Sequence, residues 1–261
     1  MSRDEAIWGG FERAIIARRR PIMEGLAGFL RLDTVSQNPE GVRAGGEWLA
    51  RAMKARGLQA EVMETRGNPA VYGSLPLPGA RRTVLIYCHF DVKPAPAAGW
   101  LQPSPFEPVL RRGTAEDGAP IFGLADVADD LLPEHRMYAR GASDDKGPIW
   151  AHLTALELMR AQGLAPRVAL KFIFDGEEEV GSPHFEALLA AEAGRLACDA
   201  IVVSDTDMWA PDVPTTCVGM RGLVAWDVRV RTADADLHSG LFGGAVPNPA
   251  HLVGRMVAAL H

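Results

Sequence analysis

Thr83-Val84-Leu85-Ile86-Tyr87-Cys88 runs straight into His89-Phe90-Asp91, and this stretch decides how the chain is read. A compact apolar run with β-branched residues and no polar alternation is a strand covered on both faces, as in a parallel sheet. Two more such runs follow, Val168 to Phe174 and Ala200 to Val203. Helical patterns lie between them. Gly147-Pro148 opens one, with Pro148 suited to a first turn and Ile149, Trp150, Leu153, Leu156 and Leu158 as its apolar stripe; Gly163 closes it. Ser182-Pro183 opens another that runs through Leu196. Strands and helices that alternate in this way predict an α/β fold, with a mainly parallel sheet flanked by helices.

Outward from this core the grammar changes. Upstream, Ile15, Ile16, Ile22, Met23, Leu26, Phe29 and Leu30 predict helix over Phe11–Leu32, kinked or divided at Pro21. A second helix is expected over Gly45–Arg56, with Gly57 as its C-cap. Pro94 to Pro108 holds five prolines and reads as irregular loop, and 113–133 is also loop-like. Downstream, Leu223 to Arg231 alternates: Val224, Trp226, Val228 and Val230 oppose Asp227, Arg229 and Arg231. That pattern predicts an antiparallel strand with one wet face. A helix over Pro249–Leu260 follows. The expected division is therefore a catalytic-type α/β domain over 1–216 and the start of a small α+β domain over 217–261. One strand and one helix do not make a domain, so the chain is expected to be a part of a longer one. No internal repeat or low-complexity tract is present.

Composition narrows the function classes. The 261 residues are 48% hydrophobic and 23% charged, with a net charge of −6. No basic stripe for nucleic acid is present, whereas mild acidity suits a carboxylate-rich site that a cation neutralises. Cys88, Cys198 and Cys217 are too few and too widely spaced for a disulfide framework or a thiolate zinc site. The start, Met1-Ser2-Arg3-Asp4-Glu5, carries no secretory signal pattern, and no apolar run is long enough for a bilayer. A soluble cytoplasmic protein is the expectation.

Four clusters carry the chemistry: His89 with Asp91, Asp144 with Asp145, Glu177-Glu178-Glu179, and Asp205 with Asp207. Three of them sit just past the carboxyl end of a predicted buried strand. The fourth lies in the glycine-bounded loop Gly141–Gly147, opening onto a helix. Ligands of open parallel sheets gather beyond those strand ends, so four remote clusters are expected to converge. Singly, each has a plainer reading: a structural histidine, an Asp-rich turn that caps a helix, a solvated glutamate run, a turn aspartate. Together they pose an electrostatic problem, because crowded carboxylates repel and resist desolvation. Lys146 and a helix N-terminus offset one charge at most. One or two divalent cations solve it, and carboxylates with an imidazole suit Zn²⁺ or Mn²⁺ better than Ca²⁺. Residues i and i+2 on extended chain share a side, so Asp91 is placed to accept a hydrogen bond from the ring nitrogen of His89 that holds no metal.

These residues resemble a known family. Tyr87-Cys88-His89-Phe90-Asp91-Val92, Arg140-Gly141-Ala142-Ser143-Asp144-Asp145-Lys146-Gly147, Asp175-Gly176-Glu177-Glu178-Glu179-Val180-Gly181-Ser182, Val203-Ser204-Asp205 and Asp236-Leu237-His238-Ser239-Gly240 are similar, in order, to five motifs of the aminoacylase/carnosinase family of co-catalytic metallopeptidases. The Trp100–Pro108 stretch and the His238 motif look most like its dipeptidase branch. The resemblance implies a zinc-peptidase-like catalytic domain with a lid or dimerisation domain beginning near 217, and a homodimer formed through that lid. It implies two divalent metal ions, Zn²⁺ first, with Mn²⁺ or Co²⁺ as alternatives. His89 and Asp205 would hold one, Glu179 the other, and Asp144 both, with a cis peptide to Asp145 as in relatives. Glu178 would be general base and acid, Asp91 would orient His89, and His238 would reach a substrate carbonyl oxygen.

The implied activity is hydrolysis of a peptide or amide bond by a water between two cations, with a dipeptide as substrate. N-acyl amino acid deacylation is the alternative. Neither nucleic acid nor membrane is an expected partner. Two departures stand out. Asp175 replaces the family's glutamate. The family's further metal-binding histidine lies well beyond the lid, and His251 and His261 do not substitute for it, so a non-catalytic fragment is a third reading.

Overall fold

In the computed structural model, residues 3–113, 121–125, 134–210 and 213–260 are described. They fall into two units, Met1–Pro214 and Thr215–His261. No described helix is long and apolar enough to cross a membrane.

The first unit opens with helices α1 (Arg3–Ala17) and α2 (Arg19–Leu30). The predicted division occurs at Arg18, three residues before Pro21. Proline has no N–H, and the carbonyl it would have served belongs to Ala17. Helix α3 (Pro39–Ala55) starts earlier than its apolar pattern indicates, because Gly41, Gly45 and Gly46 dilute the stripe. The Asn38 side chain caps it by accepting from the Gly41 N–H.

Strands β1 (Gln59–Met63), β2 (Ala70–Leu75), β3 (Thr83–His89), β7 (Ala169–Asp175) and β8 (Ala200–Val203) form one sheet, in the order β1-β2-β7-β3-β8. Strands β7, β3 and β8 run parallel, while β1 and β2 add an antiparallel flank. The α/β fold is as expected, and the sheet is mixed. Between β3 and β7 lie a small antiparallel sheet of β4 (Val109–Arg112), β5 (Ile121–Gly123) and β6 (His135–Tyr138), then helix α4 (Lys146–Ala161). Parts of the predicted 113–133 loop fall outside the described residues; β5 interrupts the rest.

Period-two alternation distributes the core over both faces of the large sheet. Ile86, Cys88, Phe172 and Phe174 pack with Phe29, Leu49, Met53, Ile149 and Leu153 from α2, α3 and α4. Leu85 and Ile173 point the other way, against Leu188 of α5 (Phe185–Ala191) and Leu196 of α6 (Ala193–Leu196). Each fully buried Leu or Phe contributes roughly 1.5–3 kcal/mol, and these residues hold the strand ends in fixed register.

Two expectations are corrected. Strand β8 pairs with β3, yet its four residues are exposed, so among the described residues it is a sheet edge and not a buried strand. The alternating stretch Leu223–Arg231 forms no strand among the described residues; Leu223, Val224 and Trp226 are exposed. A strand needs a partner to satisfy its backbone, and the described residues of the second unit supply none. That unit contains the short helix α7 (Ser239–Phe242) and α8 (Pro249–Leu260).

Candidate metal centre

His89 ends β3, and the sheet hands it to the site almost completely buried, at 1% exposure. Its Nε2 lies 2.8 Å from Asp144 Oδ1, and 3.9 Å from both Glu178 Oε2 and Asp205 Oδ1. One ligand atom each from His89, Asp144 and Asp205 lies within 4.8 Å of the others. Three segments that are far apart in sequence therefore meet at the carboxyl ends of β3, β7 and β8. Asp144 reaches the cluster from the turn before α4, across a cis peptide bond to Asp145.

The other ring nitrogen behaves differently from the i, i+2 expectation. His89 Nδ1 meets the main-chain oxygen of Asp91 at 3.0 Å, while the Asp91 carboxylate stands back at 3.4 Å. That carboxylate, itself fully buried, is engaged elsewhere. It accepts from Ser36 Oγ at 2.7 Å and from the backbone N–H groups of Glu178 and Glu179 at 3.1 Å each. Asp91 thus fixes the imidazole through its carbonyl and the glutamate loop through its side chain.

The three consecutive glutamates have three fates. Glu177 is buried and turned inward, accepting from the Asn68 N–H at 2.8 Å and paired with His184 at 3.0 Å. Glu178 is half-exposed toward His89. Glu179 pairs with Lys93, Nζ to Oε2 2.8 Å, and contributes no atom to the three-residue cluster. Asp175 braces the loop: its carboxylate accepts from Glu177 N–H at 2.9 Å and Ser182 Oγ at 2.6 Å.

Asp145 and Lys146 serve the frame. Asp145 stands at the N-cap of α4 but makes no side-chain cap bond; it accepts from the His89 N–H at 3.1 Å. Lys146 is fully buried, and its ammonium donates to the carbonyls of Leu32 at 2.8 Å and Phe29 at 3.3 Å. It is therefore spent on the end of α2 and not on the carboxylates. Asp207 is exposed. Ser204, next to Asp205, is held by His152 at 2.9 Å and by its N–H to Tyr87 O. His238 lies in the second unit, where its Nδ1 caps α7 by accepting from Gly240 N–H at 3.0 Å.

Electrostatics tests whether a cation fits. Burial opposes charge on the imidazole, but the Asp91 side chain and further carboxylates overcome it and push His89 up to about 10. Burial raises Glu178 and Asp205, and it takes Asp145 up to about 8. Each of these shifts favours the more positively charged form of its group. A neutral imidazole beside two converging carboxylates is the donor set of a borderline divalent ion, and the residues fit one.

Sequence reasoning did not single out Ser36, Asn68, His152 or His184. They are ordinary polar residues outside the acidic motifs, and only their contacts in the fold reveal them.

The family model described as "Peptidase family M20/M25/M40" matches residues 85–260. The chain belongs to this family. Its similarity extends to the Cys-Gly metallodipeptidase dug1 of Schizosaccharomyces pombe, at 35% identity over 183 residues, which is 69% of this chain and 34% of that protein. It is 34% identical over 184 residues to human Beta-Ala-His dipeptidase, covering 69% of this chain and 32% of that one. The chain thus spans about a third of the length of these curated relatives. Among solved structures, an M20 family metallo-carboxypeptidase of Sulfolobus solfataricus superimposes with a TM-score of 0.58 at 28% identity, over 72% of this chain and 38% of that chain. Human carnosine dipeptidase 1 does so with a TM-score of 0.60 over 93% and 50%, at an identity of 24%, a likeness of fold.

Proposed function

We propose that the chain carries the metal-binding half of a dipeptidase centre and takes part in hydrolysing the amide bond of short peptides. The observation that carries this reading is the convergence of His89, Asp144 and Asp205, with Glu178 at its border. The names of the dipeptidase relatives point the same way.

His89 and Asp205 would hold one divalent ion, Glu179 a second, and Asp144 would serve both; Zn²⁺ is the first choice, with Mn²⁺ or Co²⁺ as alternatives. For Glu179 this requires release from Lys93. Bound cations of this kind lower the pKa of water and polarise a substrate carbonyl. The chain's own residues do the rest. Glu178, whose burial favours the protonated form, takes the proton of the attacking water. The C–O bond forms as that water attacks the carbonyl, and the C–N bond breaks when Glu178 passes the proton to the departing amide nitrogen. Asp91 keeps Glu178 and His89 in register. By the family resemblance, His238 would be the residue that reaches a substrate carbonyl oxygen. The working protein is a cytoplasmic homodimer formed through a lid domain beginning near 217.

The test is a substrate panel on the metal-loaded protein. Cys-Gly, β-Ala-His and N-acyl amino acids are assayed together, with bound metal counted in the same samples. Metal-dependent cleavage of a dipeptide is expected. Cleavage of N-acyl amino acids alone would move the assignment to deacylase. Absence of metal at the three-residue cluster would remove the hydrolase reading.

A further inference from the structure

Segment 65–69 lies under the glutamate loop, and one side chain joins it to the rest of the centre. Asn68 is 6% exposed. Its Nδ2 donates to Ser36 O at 2.8 Å and to Gly176 O at 3.0 Å. Its backbone N–H donates to Glu177 Oε1 at 2.8 Å, and its carbonyl accepts from Thr65 Oγ1 at 2.7 Å. Ser36 is the residue whose hydroxyl holds the Asp91 carboxylate. Gly176 opens the loop whose next residues are the three glutamates. The two protons of one amide therefore join the segment that fixes Asp91 to the segment that fixes Glu178 and Glu179.

The bed itself is shaped for this contact. A Cβ on Gly176 would collide with Pro69 O, and one on Gly67 would collide with Glu177 Oε1 and His184 Nδ1. Both glycines permit the close approach that brings Asn68 within reach of both carbonyls. Buried carbonyls need donors, and here a single side chain supplies two of them.

We infer that Asn68 is a positioning residue: its side-chain amide clasps the Ser36–Asp91 segment to Gly176 and so sets where Glu178 and Glu179 point. This deepens the proposed dipeptidase reading and rests on it for its functional consequence. The aspartate isostere keeps the shape, removes both donors and sets an oxygen against two carbonyls. Alanine removes the donors without adding charge.

The experiment compares Asn68→Asp and Asn68→Ala with the wild-type chain. Amide hydrogen exchange is read residue by residue by NMR, and dipeptide turnover is measured on metal-loaded protein. Protection of the Glu178 and Glu179 amides, which donate to Asp91, is expected to fall at least tenfold in both variants. Protection within β3 and β7 stays within a factor of two and serves as the folding control. kcat is expected to fall roughly ten- to a hundredfold with KM nearly unchanged, because binding groups stay while the proton carrier is misaimed. Unchanged protection of Glu178 and Glu179 in a folded Asn68→Ala would overturn the clasp. So would protection lost equally across the sheet, which marks a purely structural residue. A wild-type chain without metal-dependent turnover would instead overturn the dipeptidase reading and leave the exchange result to decide on the clasp.

Discussion

Replacing Asp91 by asparagine isolates what its charge does, because the side chain keeps its size. The carboxylate is fully buried and accepts three hydrogen bonds, from Ser36 Oγ and from the Glu178 and Glu179 N–H groups. Asparagine offers one acceptor oxygen. Placed at the Oδ2 position, it keeps Ser36 and Glu179 but turns an NH₂ group toward the Glu178 N–H. One charge-assisted bond is then lost, at about 1.5–3 kcal/mol, and the other two weaken as the charge disappears. A total near 3 kcal/mol follows. In a domain of this size that lowers Tm by on the order of 10 °C. If the same energy is lost from the alignment of Glu178, turnover falls about a hundredfold. Thermal unfolding of the metal-free protein and single-turnover dipeptide cleavage measure the two effects. An Asp91→Asn protein that melts within 2 °C of wild type and turns over at full rate would show that the carboxylate organises nothing.

Metal binding should expel a proton. Metal-free His89, pushed up to about 10, is protonated at neutral pH and must lose that proton to become a ligand. Apparent affinity therefore rises with pH up to about 10, roughly tenfold per unit for one displaced proton. Calorimetry of Zn²⁺ binding in buffers of different ionisation enthalpy is expected to find at least one proton released at pH 7.5, and zero would contradict the assignment. Glu178→Ala is expected to keep its metal and lose about 10²–10⁴-fold in turnover; metal content and rate in the same sample decide. Asp144→Ala should lose metal altogether, since that carboxylate is the one nearest His89 Nε2; full retention by elemental analysis would exclude a ligand role.

What the sequence disclosed follows from how strongly each feature is coded locally. Strands β3 and β7 are runs of residues buried on both faces, and such runs leave a mark in composition. The acidic motifs beyond them stand out because carboxylates are seldom gathered at strand ends without a counter-charge. Strands β1 and β2 escape a sequence reading because Gln59–Met63 and Ala70–Leu75 are short, the alternation of the first spanning only a few residues; pairing of β1 with β2 and of β2 with β7 makes them strands. The same tertiary dependence hides Ser36 and Asn68, whose roles exist only where the chain folds back on Asp91. Pattern alone misjudged Leu223–Arg231, because alternation states which face could be covered and not whether a neighbour covers it.

The bare edge of β8 bears on how the isolated polypeptide behaves in the test tube. Ile201, Val202 and Val203 are 61, 44 and 51% exposed beside one open side of the sheet. Short aliphatic β-branched segments of this sort recruit other chains into intermolecular ladders. Asp199, ion-paired with Arg82, and Asp205, turned toward His89, flank the segment with charge, the pattern of gatekeepers against self-assembly. Because Asp205 is also a candidate ligand, acidification or neutralisation of that side chain would blunt one gatekeeper, tying colloidal solubility to the ionic state of the centre.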